Sequence, residues 1–268
     1  MPSNTSEPTS KTSKSGKIVP VASRVSPWLA SLAYPLGRYV LLPFYFNQIT
    51  VTGQENLPTQ GPVIIAPTHR SRWDAFTVSY AAGQDITGRD LRFMVSANEM
   101  KGIQGWFIRR FGGFPIDPQQ PGISSLRHGV ELLCERETLV IFPEGNIYRD
   151  AQLHPLKAGL GRLAMQAESL QPELNINIVP MSIQYSQAVP HWGCDVNIRI
   201  GSPLQTSSYD ITKPKTSAKQ LMADLATALI DLDQAQPSFT KSQIADKSHL
   251  SAVQSSEHRT GKSLIPES

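Results

Sequence analysis

From residue 62 onward, short apolar runs alternate with longer stretches in which apolar positions recur every three or four residues. The runs Pro62–Thr68 (PVIIAPT), Leu91–Ala97, Gly113–Asp117, Thr138–Phe142, Ile176–Tyr185 and Val196–Ile200 have the length and flanking turn residues of strands. Helical spacing or composition marks Arg72–Ala82, Gly102–Phe111, Gly122–Glu135, Gly159–Ser169 and Ser217–Asp233. Strands that alternate with helices predict an α/β fold, a mostly parallel sheet flanked by helices.

The ends of the chain break this pattern. Residues 1–26 hold seven Ser and three Thr, and residues 235–268 hold eight Ser and two Thr with scattered charges. Neither stretch has the apolar content to offset ordering entropy, so both read as disordered tails. The first lacks the apolar core of a signal peptide, which argues against secretion. Between tail and alternating region, residues 27–49 form the most apolar stretch, with Trp28, Tyr34, Tyr39, Phe44, Tyr45 and Phe46. Arg38 sits near its middle, and Pro35 and Pro43 interrupt it. A spanning helix needs about 20 apolar residues without a central charge, so this stretch reads as a helical membrane-interface segment. A core helix followed by an edge strand is the alternative. The organisation expected is thus a 1–26 tail, a 27–49 interface segment, a 50–234 folded domain and a 235–268 tail.

Composition narrows the function classes. With 25 Lys+Arg against 22 Asp+Glu the net charge is only +3, too small for a general nucleic-acid binder. The two cysteines, Cys134 and Cys194, lie far apart and fit reduced thiols better than a disulfide scaffold. There is no CxxC pair, and His128, His154 and His191 are scattered without ligand spacing, so no metal or other cofactor is expected. The glycines of Gly159-Leu160-Gly161 follow no strand and read as helix packing rather than a dinucleotide fingerprint.

Two constellations carry candidate chemistry, and each directly follows an apolar strand. In Thr68-His69-Arg70-Ser71-Arg72-Trp73-Asp74, His69 and Asp74 on one continuous helix would point about 140° apart and could not meet. If Ser71 caps the next helix, Asp74 takes its third position and the chain before Ser71 turns back. His69 then reaches Asp74, as a general base and its orienting carboxylate require. The second constellation is Phe142-Pro143-Glu144-Gly145-Asn146-Ile147-Tyr148-Arg149. Gly145 permits a close approach, Glu144 offers an acceptor for hydroxyls, and Arg149, Lys157 and Arg162 supply cations for a phosphate. Open α/β sheets bind ligands at the carboxyl ends of their strands, where both segments fall.

Taken together, His69 to Asp74 and Phe142-Pro143-Glu144-Gly145 resemble the glycerolipid acyltransferase family with the H-x-x-x-x-D signature. Its best-known members are 1-acylglycerol-3-phosphate acyltransferases. The likeness runs from about Gly53 to Pro203 and includes two further blocks, Gly105-Trp106-Phe107 leading to Gly112-Gly113-Phe114-Pro115-Ile116-Asp117, and Val179-Pro180-Met181-Ser182. The resemblance implies acyl transfer from a thioester, acyl-ACP or acyl-CoA, to a lysophospholipid hydroxyl. In that scheme His69 takes the hydroxyl proton, Asp74 holds the ring, and Glu144 and Gly145 help bind the glycerol phosphate. The chain departs from the family pattern in two places. Pro118 follows Asp117 where an Arg is usual, and Asn146-Ile147 stand where Thr-Arg is usual. Arg149, or Arg109 and Arg110, are the expected replacements as phosphate ligands.

The sequence itself contains no Gly-x-Ser-x-Gly elbow, and Cys134 falls in an apolar helical stretch, so direct transfer within a ternary complex is expected. The expected setting is the cytoplasmic face of a membrane, with Arg70, Arg72, Arg109 and Arg110 turned toward an acidic carrier protein. Three rival readings are a different acceptor such as glycerol-3-phosphate or another lysophospholipid, a non-catalytic lipid-binding module, and a hydrolase.

Overall fold

A computed structural model of the protein describes residues 23–117 and 122–234. In chain order the elements are α1 (Pro27–Leu36), a π-helical turn (Gly37–Leu41), α2 (Leu42–Tyr45), β1 (Gln48–Thr52), β2 (Val63–Pro67), α3 (Asp74–Ala82), α4 (Gln84–Thr87), β3 (Leu91–Ser96), α5 (Gly102–Arg110), β4 (Phe114–Ile116), α6 (Ile123–Cys134), β5 (Thr138–Val140), α7 (Gly159–Leu170), β6 (Asn177–Tyr185), β7 (Asp195–Ile200), β8 (Leu204–Gln205) and α8 (Pro214–Gln234).

The strands form one sheet in the order β1-β7-β6-β2-β5-β3-β4, with β8 added to β6. The α/β fold with a mostly parallel sheet is as the sequence predicts. Among the described strands, only the β6–β7 and β6–β8 pairings are antiparallel. β2 lies at the centre and is buried at every position, the mark of a strand covered on both faces. Its side chains alternate between two cores. Ile64 and Ala66 join the cluster under α6, α7 and α8, whereas Val63 and Ile65 join the one beneath α2 and α3. The short β8 and the edge strand β1 are the strands that sequence reading did not separate out. β1 begins at Gln48, inside the 27–49 segment, which is therefore helix and then the start of an edge strand.

In α7, Gly161 faces α8 so closely that a Cβ would stand 2.6 Å from the carbonyl oxygen of Ala218, whereas Gly159 has open space. Helix packing thus accounts for Gly161. Gly161→Val is expected to cost about 1–3 kcal/mol through overpacking. Gly159→Ala, at the exposed start of the helix, should change stability by less than about 1 kcal/mol. Chemical denaturation of the two variants checks both values.

Pro35 and Pro43 do not interrupt the helical path. The chain instead widens into a π turn, where the Leu42 N–H donates to the carbonyl of Gly37 five residues back. Pro43 has no N–H to continue the ordinary ladder, which accounts for the irregularity. Every fourth residue of this segment is exposed and large: Trp28, Leu32, Leu36, Val40 and Phe44. In a pure α-helix such a stripe drifts by about 40° at each step. The wider π turn, with more residues per turn, offsets part of that drift. Arg38 is turned away from the stripe, donating to the carbonyl of Tyr80 at 2.6 Å and lying over the Tyr80 ring at 4.4 Å. Among the described residues no helix is long and apolar enough to cross a membrane. The tails 1–22 and 235–268 lie outside the described residues. Residues 23–26, which composition puts in the first tail, pair with the body: Val25 bridges Phe111, and the Ser26 N–H donates to the carbonyl of Arg110.

Candidate active site

Three neighbouring parallel strands bring the two constellations together. β5 and β6 flank β2 in parallel register, so the segments leaving all three open at the same edge of the sheet. β2 leads into the His69 loop, β5 into Phe142–Arg149, and β6 ends on Tyr185. The Thr68 hydroxyl accepts from the Ile183 N–H at 2.9 Å and carries the β2–β6 pairing past the end of β2.

Asp74 is the hub of the first loop. It is fully buried, and its Oδ2 accepts three hydrogen bonds: His69 Nδ1 at 2.8 Å, the Arg70 N–H at 2.6 Å and the Ser71 N–H at 2.8 Å. The fold-back predicted from spacing is therefore present, with one difference. Regular α3 begins at Asp74 itself, after a turn in which Ser71 Oγ accepts from the Trp73 N–H at 3.2 Å. Asp74 thus satisfies the amides that precede it instead of those of its own helix, and this is what curls the chain and sets His69 against the carboxylate. Its other oxygen, Oδ1, accepts from the Tyr185 hydroxyl at 2.7 Å. Burial, followed by the charge of Asp74, pushes the Tyr185 hydroxyl far above its ordinary pKa, so it stays a donor.

Beside a carboxylate, the Nδ1 of a neutral imidazole is the donor, a tautomer in which Nε2 carries the free lone pair. The ring stacks on Phe142 at 4.1 Å between centroids, and a fifth of the side chain remains exposed. The Phe142–Arg149 segment also grips the His69 backbone on both sides. The His69 N–H donates to Glu144 Oε1 at 2.9 Å, and the His69 carbonyl accepts from the Tyr148 N–H at 2.8 Å.

Glu144 is buried, and both its oxygens serve the protein's own donors. Arg70 Nη1 reaches them at 2.9 and 3.0 Å, and the His154 N–H donates to Oε2 at 3.1 Å. The carboxylate offered by sequence as a hydroxyl acceptor is a strut between the two loops. Arg70 is correspondingly only 6% exposed, which corrects its expected place on a surface facing a carrier protein. Gly145 adopts φ +72°, and a Cβ there would come within 2.6–2.8 Å of the end of the Lys157 side chain. Only glycine lets the Lys157 stem cross at that point.

Arg149 is exposed and lines an open cleft of about 580 Å³ with Ser71, Arg72, Trp73, Ile147, Val189 and Pro190. It has no hydrogen-bond or ion-pair partner among the described residues. Arg72 pairs with Glu99 at 2.9 Å. Arg109 and Arg110 do not line this cleft. Arg109 donates to the Met100 carbonyl at 3.2 Å, and Arg110 lies over the Trp106 ring at 4.3 Å. Arg162 is exposed on α7. Pro118 lies outside the described residues. Cys134, at the end of α6, has its thiol pushed up by burial, which disfavours the thiolate a nucleophile needs. His128, His154 and His191 each have their own polar partner: Ser23, Asp150 and the Trp192 carbonyl. Among the described residues no group of three His, Cys, Asp or Glu could hold a metal ion.

Sequence reasoning missed Tyr185 and the buried Arg70–Glu144 pair. No local motif marks Tyr185, because only the β2–β6 register brings it to Asp74.

The family model described as Acyltransferase matches residues 48–184, just over half of the chain. The chain belongs to the acyltransferase family. Both loops of the site fall inside the matched acyltransferase span. Among curated acyltransferases, the 1-acyl-sn-glycerol-3-phosphate acyltransferase of Bacillus subtilis (strain 168) is 32% identical over 123 residues, 45% of this chain and 58% of that protein. The mitochondrial glycerol-3-phosphate acyltransferase 1 of Sus scrofa is 27% identical over 158 residues, covering 55% of this chain and 19% of that one. The chain thus spans between half and three fifths of the bacterial relatives it matches. The crystal structure of the 1-acyl-sn-glycerophosphate (LPA) acyltransferase from Thermotoga maritima has the same fold. Its TM-score is 0.58 at 17% identity, covering 79% of this chain and 82% of that one.

Proposed function

We propose that the chain transfers a fatty acyl group from a thioester, acyl-ACP or acyl-CoA, to the free hydroxyl of 1-acylglycerol-3-phosphate, giving phosphatidate. The observation that carries this reading is the His69–Asp74 pair, whose Nδ1–Oδ2 bond of 2.8 Å leaves Nε2 as the proton acceptor. In the reaction Nε2 takes the acceptor's hydroxyl proton as the oxygen attacks the thioester carbonyl. A tetrahedral intermediate forms and the C–S bond breaks. The thiolate leaves and takes the proton back from the imidazolium, which Asp74 has held in place.

The cleft beside the His69 loop suits a phosphorylated lipid. Arg149 supplies an unpaired guanidinium for the phosphate, and Ile147, Val189 and Pro190 give it an apolar wall. That wall continues toward the stripe of the N-terminal helices. Val189 and Trp192 belong to the same exposed β6–β7 connection, and the Trp192 ring packs edge-on against Phe44 at 4.2 Å. A membrane-associated enzyme would seat the stripe in the bilayer interface and draw the acceptor from it. The relatives named 1-acyl-sn-glycerol-3-phosphate acyltransferase support the same acceptor. Those named glycerol-3-phosphate acyltransferase support a second reading, in which glycerol-3-phosphate is the acceptor.

Arg149→Ala tests the acceptor site. Losing a charge-assisted contact to phosphate should raise the KM for lysophosphatidate roughly tenfold or more, with the donor KM unchanged. An unchanged acceptor KM would move the phosphate to other residues.

A further inference from the structure

Helix α5 carries an apolar face that stays largely exposed, with the Arg110 guanidinium over its Trp106 ring. Ile103 is 79% exposed, and Trp106 and Phe107 are each more than two fifths exposed. Lys101 precedes the helix, Arg109 and Arg110 close it, and residues 101–110 contain no acidic side chain. The nearby Glu99 is already engaged, one oxygen by Arg72 and the other by Gln104 at 2.8 Å.

The position of α5 gives this face its meaning. At one end the Gln104–Glu99–Arg72 chain ties the helix to the wall of the cleft. At the other, the Arg110 carbonyl accepts from the Ser26 N–H at 2.9 Å, immediately before α1 and its exposed stripe. α5 therefore bridges the N-terminal helices and the mouth of the candidate site.

We infer that α5 is a second bilayer contact, lying in the headgroup region of an anionic membrane beside the cleft. Ile103, Trp106 and Phe107 face the acyl chains, while Lys101, Arg109 and Arg110 meet lipid phosphates. Aromatic and aliphatic groups flanked by cations are what an interfacial helix needs. An acidic carrier protein would satisfy the three cations and leave three large apolar side chains without an environment. A bilayer accommodates both. The inference rests on the membrane part of the proposed function and adds a second, independent anchor to it.

The test uses the full chain and vesicle flotation, comparing wild type with the double variant Ile103→Ser/Phe107→Ser on phosphatidylglycerol and phosphatidylcholine vesicles. Both replaced side chains are exposed, so the variant should fold, and circular dichroism checks that it does. Its affinity for phosphatidylglycerol vesicles should fall at least about tenfold, while turnover of a short-chain, monomeric lysophosphatidate is retained. Arg109→Gln/Arg110→Gln should weaken binding to phosphatidylglycerol by about fivefold per charge and leave phosphatidylcholine binding unchanged. Unchanged vesicle affinity in Ile103→Ser/Phe107→Ser overturns the inference, as does a wild-type chain that binds no vesicles. A variant with normal vesicle affinity and a raised KM for an acyl carrier donor would place an acidic protein on α5, which also overturns it. Failure of wild type to acylate lysophosphatidate would sink the proposed function while leaving the vesicle comparison readable.

Discussion

Replacing His69 by alanine is expected to lower acyl transfer about 10²–10⁴-fold, the usual contribution of a positioned general base. Stability should change by no more than about 1 kcal/mol, because the ring is partly exposed and its backbone contacts remain. Asp74→Ala should behave differently. That carboxylate holds the imidazole and also two buried backbone amides and the Tyr185 hydroxyl, so its loss removes activity and loosens the loop together. Initial rates beside urea denaturation separate the two effects. A His69→Ala protein that turns over at close to the wild-type rate would remove the general-base mechanism.

The largest stability effect is expected at Glu144. Its carboxylate is fully buried against Arg70, whose side chain is itself only 7% exposed. Glu144→Ala leaves that cation without its partner in a dry site, and breaking one side of such a pair costs about 3–5 kcal/mol. The His69 and His154 amides lose their acceptor as well. The companion Arg70→Met/Glu144→Leu fills the same space with apolar groups and removes the orphaned charge. It should recover much of the lost stability yet stay poorly active, because the His69 N–H has lost its anchor. A Glu144→Ala protein that denatures at the wild-type midpoint would show that the pair adds nothing to the fold and would return Glu144 to the substrate.

These two expectations mark where sequence reading works for this chain and where it stops. The buried strands and the helices packed on them were legible because alternation and spacing report burial directly. The His69–Asp74 contact was legible because spacing of five excludes a single helix and leaves a fold-back as the way for the pair to meet. Glu144 was singled out in the sequence, but its partner was not, since nothing local links position 70 to position 144. The pairing comes from the parallel register of β2 and β5. Tyr185 was invisible for the same reason, through β2 and β6. The N-terminal segment was legible as apolar, but its π turn was hidden behind prolines that read as breaks.

The most direct test of the central claim is acyl transfer by the purified chain in liposomes. Labelled acyl-ACP or acyl-CoA would be offered with lysophosphatidate, glycerol-3-phosphate and zwitterionic or neutral lysolipids side by side, and His69→Ala would serve as the control. The account predicts labelled phosphatidate from lysophosphatidate, lost in the His69→Ala reaction. Thioester hydrolysis without an acylated product, or no transfer to any acceptor by a folded, lipid-binding protein, would contradict it.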